Sequence, residues 1–222
     1  MAIDRLGYTD HGPTHVRIVA NSALTILRIL IENKVVPSAV KNYGMKNEDA
    51  EVVVVLGSIF HDLGMIVTRD GHEQISALLA AEFIKKYLQQ IYSEEEIAII
   101  TSEVLHAVVS HEHKRKPLTI EAGIVSVADA LDMEEGRARI PFQAGNVDIH
   151  SVSALSIQSV EILEGTEKPV TIKVAMSNPA GIFQIDELLK PKIENSGLKG
   201  YFHVIAEITG ETGRKILEKF EI

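Results

Sequence analysis

The residues of this chain whose types and spacing could do chemistry are its histidines and aspartates. The sharpest arrangement is Phe60-His61-Asp62-Leu63-Gly64, an imidazole directly beside a carboxylate. Adjacent residues of a regular helix point about 100° apart, so this pair can converge on one ion only at a helix terminus. There the two groups would suit a divalent transition metal. Asp129 stands in the apolar run Ile124, Val125, Val127, Ala128 and Leu131. A carboxylate buried there needs a cation or strong donors. His15 opens the first apolar stripe of the chain. Together His15, His61, Asp62 and Asp129 offer two imidazoles and two carboxylates, leaving positions for water and substrate as a catalytic metal requires. Taken singly, each has a plainer role: His61-Asp62 as a helix cap, His15 as a surface residue, Asp129 as the partner of an arginine. The combination, in that order on successive helices, favours the metal.

Other groups surround this set. His11 lies one helical turn before His15 and could face the same cleft, so Asp62 and His11 are the candidate catalytic groups. His106 precedes His111 by five residues, about 140° around a helix, and joins the site only if the helix end bends it inward. Lys114 and Arg115 follow His111, and Arg137 and Arg139 follow the Asp129 segment. These cations are candidates for holding phosphate oxygens, or they complement helix dipoles. His113, His150 and His203 read as surface or hydrogen-bonding residues.

The elements that must position these groups are mostly helical. Val16, Val19, Ala20, Ala23, Leu24, Leu27, Leu30 and Ile31 recur at helical spacing and predict one long amphipathic helix. Asn47 can cap a second helix running to Phe60, with Gly64 as its stop. A third is expected over Glu73–Tyr87, and Ser93 with Glu96 forms a capping box for a fourth reaching about His111. Pro117 and Thr119 open a fifth, Ile120–Met133. The texture then changes. Val160–Leu163 and Val170–Val174 read as a hairpin, Ile182–Ile193 as a helix, Tyr201–Ile208 as a strand and Glu211–Phe220 as a last helix. The chain is expected to be mainly α, an all-helical body over 1–148 followed by a small α+β domain over 149–222.

Composition narrows the chemistry further. The 222 residues carry a formal charge of −9, which argues against membrane surfaces and makes nucleic acid an improbable partner. With no cysteine, thiolate zinc sites, iron–sulfur clusters and cysteine nucleophiles are excluded. No uncharged apolar run approaches the roughly 18 residues of a membrane span. The opening MAIDRLGYTDHGP lacks the apolar centre of a signal peptide, so a cytoplasmic location is expected. Phosphate-binding glycine loops and a nucleophile elbow are absent.

The segments HGPTHVRIV, IFHDLGM and VSVADALD resemble the HD superfamily of metal-dependent phosphohydrolases over about residues 8–140. The resemblance implies that His15, His61, Asp62 and Asp129 bind the metal, with Asp62 able to bridge a second ion. Gly71-His72-Glu73 and the Ala107–His111 segment are similar to those of two-metal HD branches, which implies His72, His111 and the shared Asp62 as a second site. Where those relatives often carry two consecutive histidines, this chain has His111-Glu112-His113. The implied cofactor is one or two divalent ions (Mn, Fe, Co, Ni or Zn), donors of this mix suiting them better than Mg. The implied activity is hydrolysis of a phosphate ester or anhydride of a small molecule, in the manner of a nucleotide, by a metal-activated water. Two other functions fit the same ligands: a di-iron oxygenase, and a non-catalytic sensor of a phosphorylated effector. The apolar tail reads as a module for subunit docking, which would make a homodimer, or for shaping the substrate site, or as a lid that completes the core.

Overall fold

The computed structural model describes residues 11–112, 114–134, 153–209 and 219–221. The first helix, α1 (Pro13–Glu32), opens on a proline, whose missing N–H costs nothing in a first turn. Its buried face is His15, Val19, Ala23, Ile26, Leu27 and Leu30; of the expected stripe, Val16, Ala20, Leu24 and Ile31 are only half-buried, and Ile26 joins it. Among the described residues α1 is the one helix long and apolar enough to cross a membrane, and this face is spent on the core.

A short helix, α2 (Ser38–Tyr43), was not foreshadowed by any apolar period. Its first backbone N–H groups, of Ser38 and Ala39, donate to the buried carboxylate of Glu121 at 3.1 and 2.8 Å, a cap supplied from 82 residues away. The next helix, α3 (Asn47–Phe60), begins one residue earlier than an Asn47 cap would allow. Lys46 is the capping position, and its N–H donates to Asp49 Oδ2 at 2.8 Å. Nor does Gly64 stop α3, which ends at Phe60; Gly64 lies inside a 3-10 turn, Leu63–Ile66.

Then follow α4 (His72–Leu88) and α5 (Glu94–Ser110). The Ser93–Glu96 capping box is formed, with Ser93 N–H donating to Glu96 Oε2 at 2.8 Å. Thr119 Oγ1 accepts from Ala122 N–H to start α6 (Ile120–Ala130), which ends three residues short of the expected Met133. Every residue of α6 from Glu121 to Ala130 is buried, as befits a central helix.

The C-terminal part holds a sheet of order β1-β2-β3-β4. Strands β1 (Ile157–Glu164) and β2 (Val170–Met176) form the expected antiparallel hairpin. β3 (Phe202–Ile208) runs parallel to β2, and the stretch between them crosses over through α7, residues 182–195. Within α7, Ile185–Leu189 forms a π turn just before Pro191. A proline supplies no N–H and crowds the carbonyl four residues back, so a widened turn relieves the helix there. The expected last helix is corrected at its end: Lys219–Glu221 is a short strand, β4, antiparallel to β3. Backbone pairing along the edge of β3 takes these three residues into the sheet. The rest of that segment, and the boundary expected near 148, lie outside the described residues.

Alternate residues of β2 (Val170, Ile172, Val174, Met176) and β3 (Phe202, Val204, Ala206) are buried on one face. They join Val19 to Leu30 of α1, the apolar face of α6 and Ile185, Leu189 and Ile193 of α7 in one cluster. A second cluster, including Val53, Ala80, Ile84, Ile100, Val104 and Val108, lies among α3, α4 and α5.

Candidate metal centre

Helix ends bring the site together. His15 sits in the first turn of α1, His61 and Asp62 follow α3, His72 begins α4, His111 follows α5, and Asp129 lies in the last turn of α6. Beyond Phe60 the chain keeps helical angles at His61 and leaves them at Asp62 (φ −103, ψ 7). This break lets neighbours that a regular helix would part approach to 3.2 Å, His61 Nε2 to Asp62 Oδ2. The following turn packs tightly on α4. A Cβ on Gly64 would stand 2.2 Å from the His72 carbonyl oxygen, so only glycine permits the approach. Gly64 N–H also donates to Ser76 Oγ at 2.8 Å, fastening the turn to α4.

Two donor sets result. In the first, His15, His61, Asp62 and Asp129 present ligand atoms that all lie within 4.8 Å of one another. His15 Nε2 is 3.1 Å from His61 Nε2, 3.4 Å from Asp62 Oδ2 and 3.3 Å from Asp129 Oδ1. His61 Nε2 is 3.5 Å from Asp129 Oδ1. In the second, the other oxygen of Asp62, Oδ1, is 3.1 Å from His72 Nε2 and 3.6 Å from His111 Nε2, and these nitrogens are 3.2 Å apart. Asp62 thus gives one oxygen to each set.

The four imidazoles are oriented alike. Nδ1 of His61, His72 and His111 donates to the carbonyls of Ser58, Arg69 and Val108, each at 2.7 Å. Nδ1 of His15 is 2.6 Å from Asp132 Oδ2. Carbonyl and carboxylate oxygens accept, so Nδ1 carries the proton and Nε2 turns a lone pair inward. Lone pairs facing each other at 3.1–3.2 Å repel unless a proton or cation lies between them. Bonds of about 2.1 Å place adjacent donors about 3.0 Å apart in an octahedron and about 3.4 Å apart in a tetrahedron. The separations in both sets, 3.1–3.6 Å, fall at or near those edges, so the residues fit a divalent cation.

The electrostatics ask for positive charge in the same place. Burial opposes charge on His61, yet the carboxylates of Asp62 and Asp129 overcome it and push its pKa up to about 10. Burial likewise opposes ionisation of Asp62 and Asp129. His61 and its neighbours hold Asp62 well below the carboxylate range, and Lys192 with His15 and His61 does so for Asp129. His72 is raised, the carboxylate of Asp62 outweighing burial, whereas burial and nearby His61 bring His111 down to about 4.

The remaining candidates are placed differently. His11 lies at the lip of the site, its Nε2 3.8 Å from Asp62 Oδ2 and its ring edge-on to His15. The structure does not bring His106 to the cluster; its Nε2 accepts the Leu118 N–H at 2.9 Å, and burial lowers its pKa. Lys114 and Arg115 are exposed. With the Gln74 amide turned to satisfy its neighbours, Arg115 Nη2 donates to it at 2.7 Å, beside His72 in the first turn of α4. Arg137, Arg139, His113 and His150 lie outside the described residues.

Two participants were missed. Asp132 orients His15, and its signal was its place three residues after Asp129 in VADALD. Lys192 of α7 donates to Asp129 Oδ2 inside the protein. Nothing local distinguishes it from its polar neighbours, because its partner lies 63 residues away.

The chain is similar to known proteins over most of its length. A protein of Methanocaldococcus jannaschii named Uncharacterized protein MJ1020 is 50% identical over 211 residues, covering 95% of this chain and 82% of that protein. Ribonuclease Y of Opitutus terrae is 32% identical over 89 residues, covering 40% of this chain and 15% of that enzyme. The family model described as HD domain matches residues 14–134. That span holds every histidine and carboxylate of the two donor sets and exceeds half of the chain, and the protein belongs to the HD-domain family.

Proposed function

We propose that this protein is a metal-dependent phosphohydrolase acting on an ester or anhydride of a small phosphorylated molecule. One observation carries the reading: four imidazoles with Nδ1 tied back turn Nε2 onto two donor sets that share Asp62. A divalent transition metal bound there would polarise a phosphoryl oxygen and lower the pKa of a bound water toward neutrality. Asp62 fixes the spacing of the two sets, one oxygen to each. The tied Nδ1 atoms keep the rings from turning, so the donors are preorganised and need no rearrangement during turnover. His11, at the lip and 3.8 Å from Asp62, would hold a proton at Nε2 for the leaving oxygen. The match to a protein named a ribonuclease is in keeping with phosphoester chemistry.

The test is a panel of nitrophenyl phosphates, nucleotides and cyclic nucleotides offered to protein loaded in turn with Mn, Fe, Co, Ni and Zn. Hydrolysis is expected with at least one metal, reduced more than about 100-fold in Asp62→Asn, since both sets lose a ligand charge. Substrate-dependent oxygen uptake by the iron form would replace this reading with an oxygenase. Tight binding of a phosphorylated compound without turnover by any metal form would replace it with a sensor.

A further inference from the structure

Lys192 is a buried ammonium from the part of the chain that shows no catalytic motif, and it ends beside the metal centre. Its placement is built in. Gly123 of α6 has no Cβ, and one added there would stand 2.6 Å from the Ser196 carbonyl oxygen. The chain just past α7 therefore lies directly on α6. Six residues further along α6 is Asp129, and one turn earlier on α7 is Lys192, so the close approach sets one against the other. Asp129 divides its oxygens: Oδ1 faces His15 and His61, and Oδ2 takes Lys192.

An ammonium has three N–H donors. Among the described residues Asp129 is the one hydrogen-bond partner of the Lys192 ammonium, which has two further N–H donors to offer a ligand. The side chains of Asp129 and Lys192 keep 12% and 10% exposure, as His11 at the lip keeps 10%, against 0% for His15 and His61, so Lys192 is within reach of a ligand entering the centre. An anion entering a carboxylate-rich site needs a fixed cation there.

We infer that Lys192 is a catalytic residue that grips the phosphoryl group of the substrate with the donors Asp129 leaves free. This rests on the phosphohydrolase reading and adds the residue that would hold its substrate. The C-terminal part is then a contributor to the site.

The test is binding of inorganic phosphate to manganese-loaded protein by calorimetry, comparing the unaltered chain with K192M, K192Q and K192R. Metal content and the thermal midpoint of the metal-free protein are measured alongside. Expected are unchanged metal content in K192M and K192Q, a phosphate Kd raised at least about 10-fold, and a smaller rise in K192R, which keeps the charge. K192Q keeps a donor for Asp129 and serves if K192M does not fold. Phosphate affinity equal to that of the unaltered chain would overturn the inference. So would affinity lost only in step with metal, which would make Lys192 a support for Asp129. If the unaltered, metal-loaded chain neither binds phosphate nor cleaves any phosphoester, the phosphohydrolase reading itself fails, and this inference with it.

Discussion

At the residue scale, protons and metal compete for the same positions. His61, raised to about 10, keeps its proton in the metal-free protein at neutral pH, whereas in the unfolded chain it titrates near 6.5. Its stabilising contribution is complete below 6.5 and is lost as pH rises toward 10, and the raised His72 acts in the same sense. His111, brought down to about 4, works oppositely, because acid protonates the unfolded chain first and favours it below 6.5. The depressed Asp62 and Asp129 stabilise above about 3.8 and lose that contribution in stronger acid. The thermal midpoint of the metal-free protein is therefore expected to peak near pH 6.5 and fall on both sides; a level profile from 6.5 to 9.5 would contradict this. Metal uptake at pH 8 must displace the His61 proton, which calorimetry in two buffers of different ionisation heat would register as proton release. Asp132→Ala removes the carboxylate that orients His15, and an affinity loss of about 10–100-fold at the first set is expected by metal titration, with the second set much less affected.

At the element scale, the site depends on how helix termini are fastened. The turn after α3 lies on the start of α4 through Gly64, and the Gly64→Ala substitution forces its Cβ against the His72 carbonyl. Overpacking of this kind costs about 1–3 kcal/mol and would push His72 away from Asp62. The expected result, read by elemental analysis, is loss of metal from the second set with retention at the first. Equal loss from both would mean that the turn positions the whole centre. The end of α5 is tied separately, since Ser126 Oγ of α6 donates to the His111 carbonyl at 2.7 Å. The His61-Asp62 pair was legible because a chemical pair at a helix end needs only a few residues of context. The cap of α2 by Glu121 was not, because donor and acceptor meet only after α2 and α6 have packed.

At the scale of the whole molecule, sheet and helices share one apolar cluster, so damage to either should reach the other. Phe202, fully buried in β3, packs in the same cluster as Val19 of α1, the helix that carries His15. Phe202→Ala is expected to cost about 3–5 kcal/mol. Helical signal and bound cobalt absorbance should then disappear together, at a lower temperature than in the unaltered protein. Separate transitions would show that the helical body holds its centre without the sheet.

What sequence alone gave away was helices α1 and α3 to α6, the hairpin, and the order in which His15, His61, Asp62, His72, His111 and Asp129 stand along them as candidates. Apolar periodicity, caps and motif order are properties of short segments and are visible there. Tertiary structure alone decided that Asp132 and Lys192 join the cluster, that His106 serves a loop instead, and that Lys219–Glu221 is a strand. Each of these depends on partners from distant segments, and an interaction between a lysine and an aspartate 63 residues apart has no period to betray it.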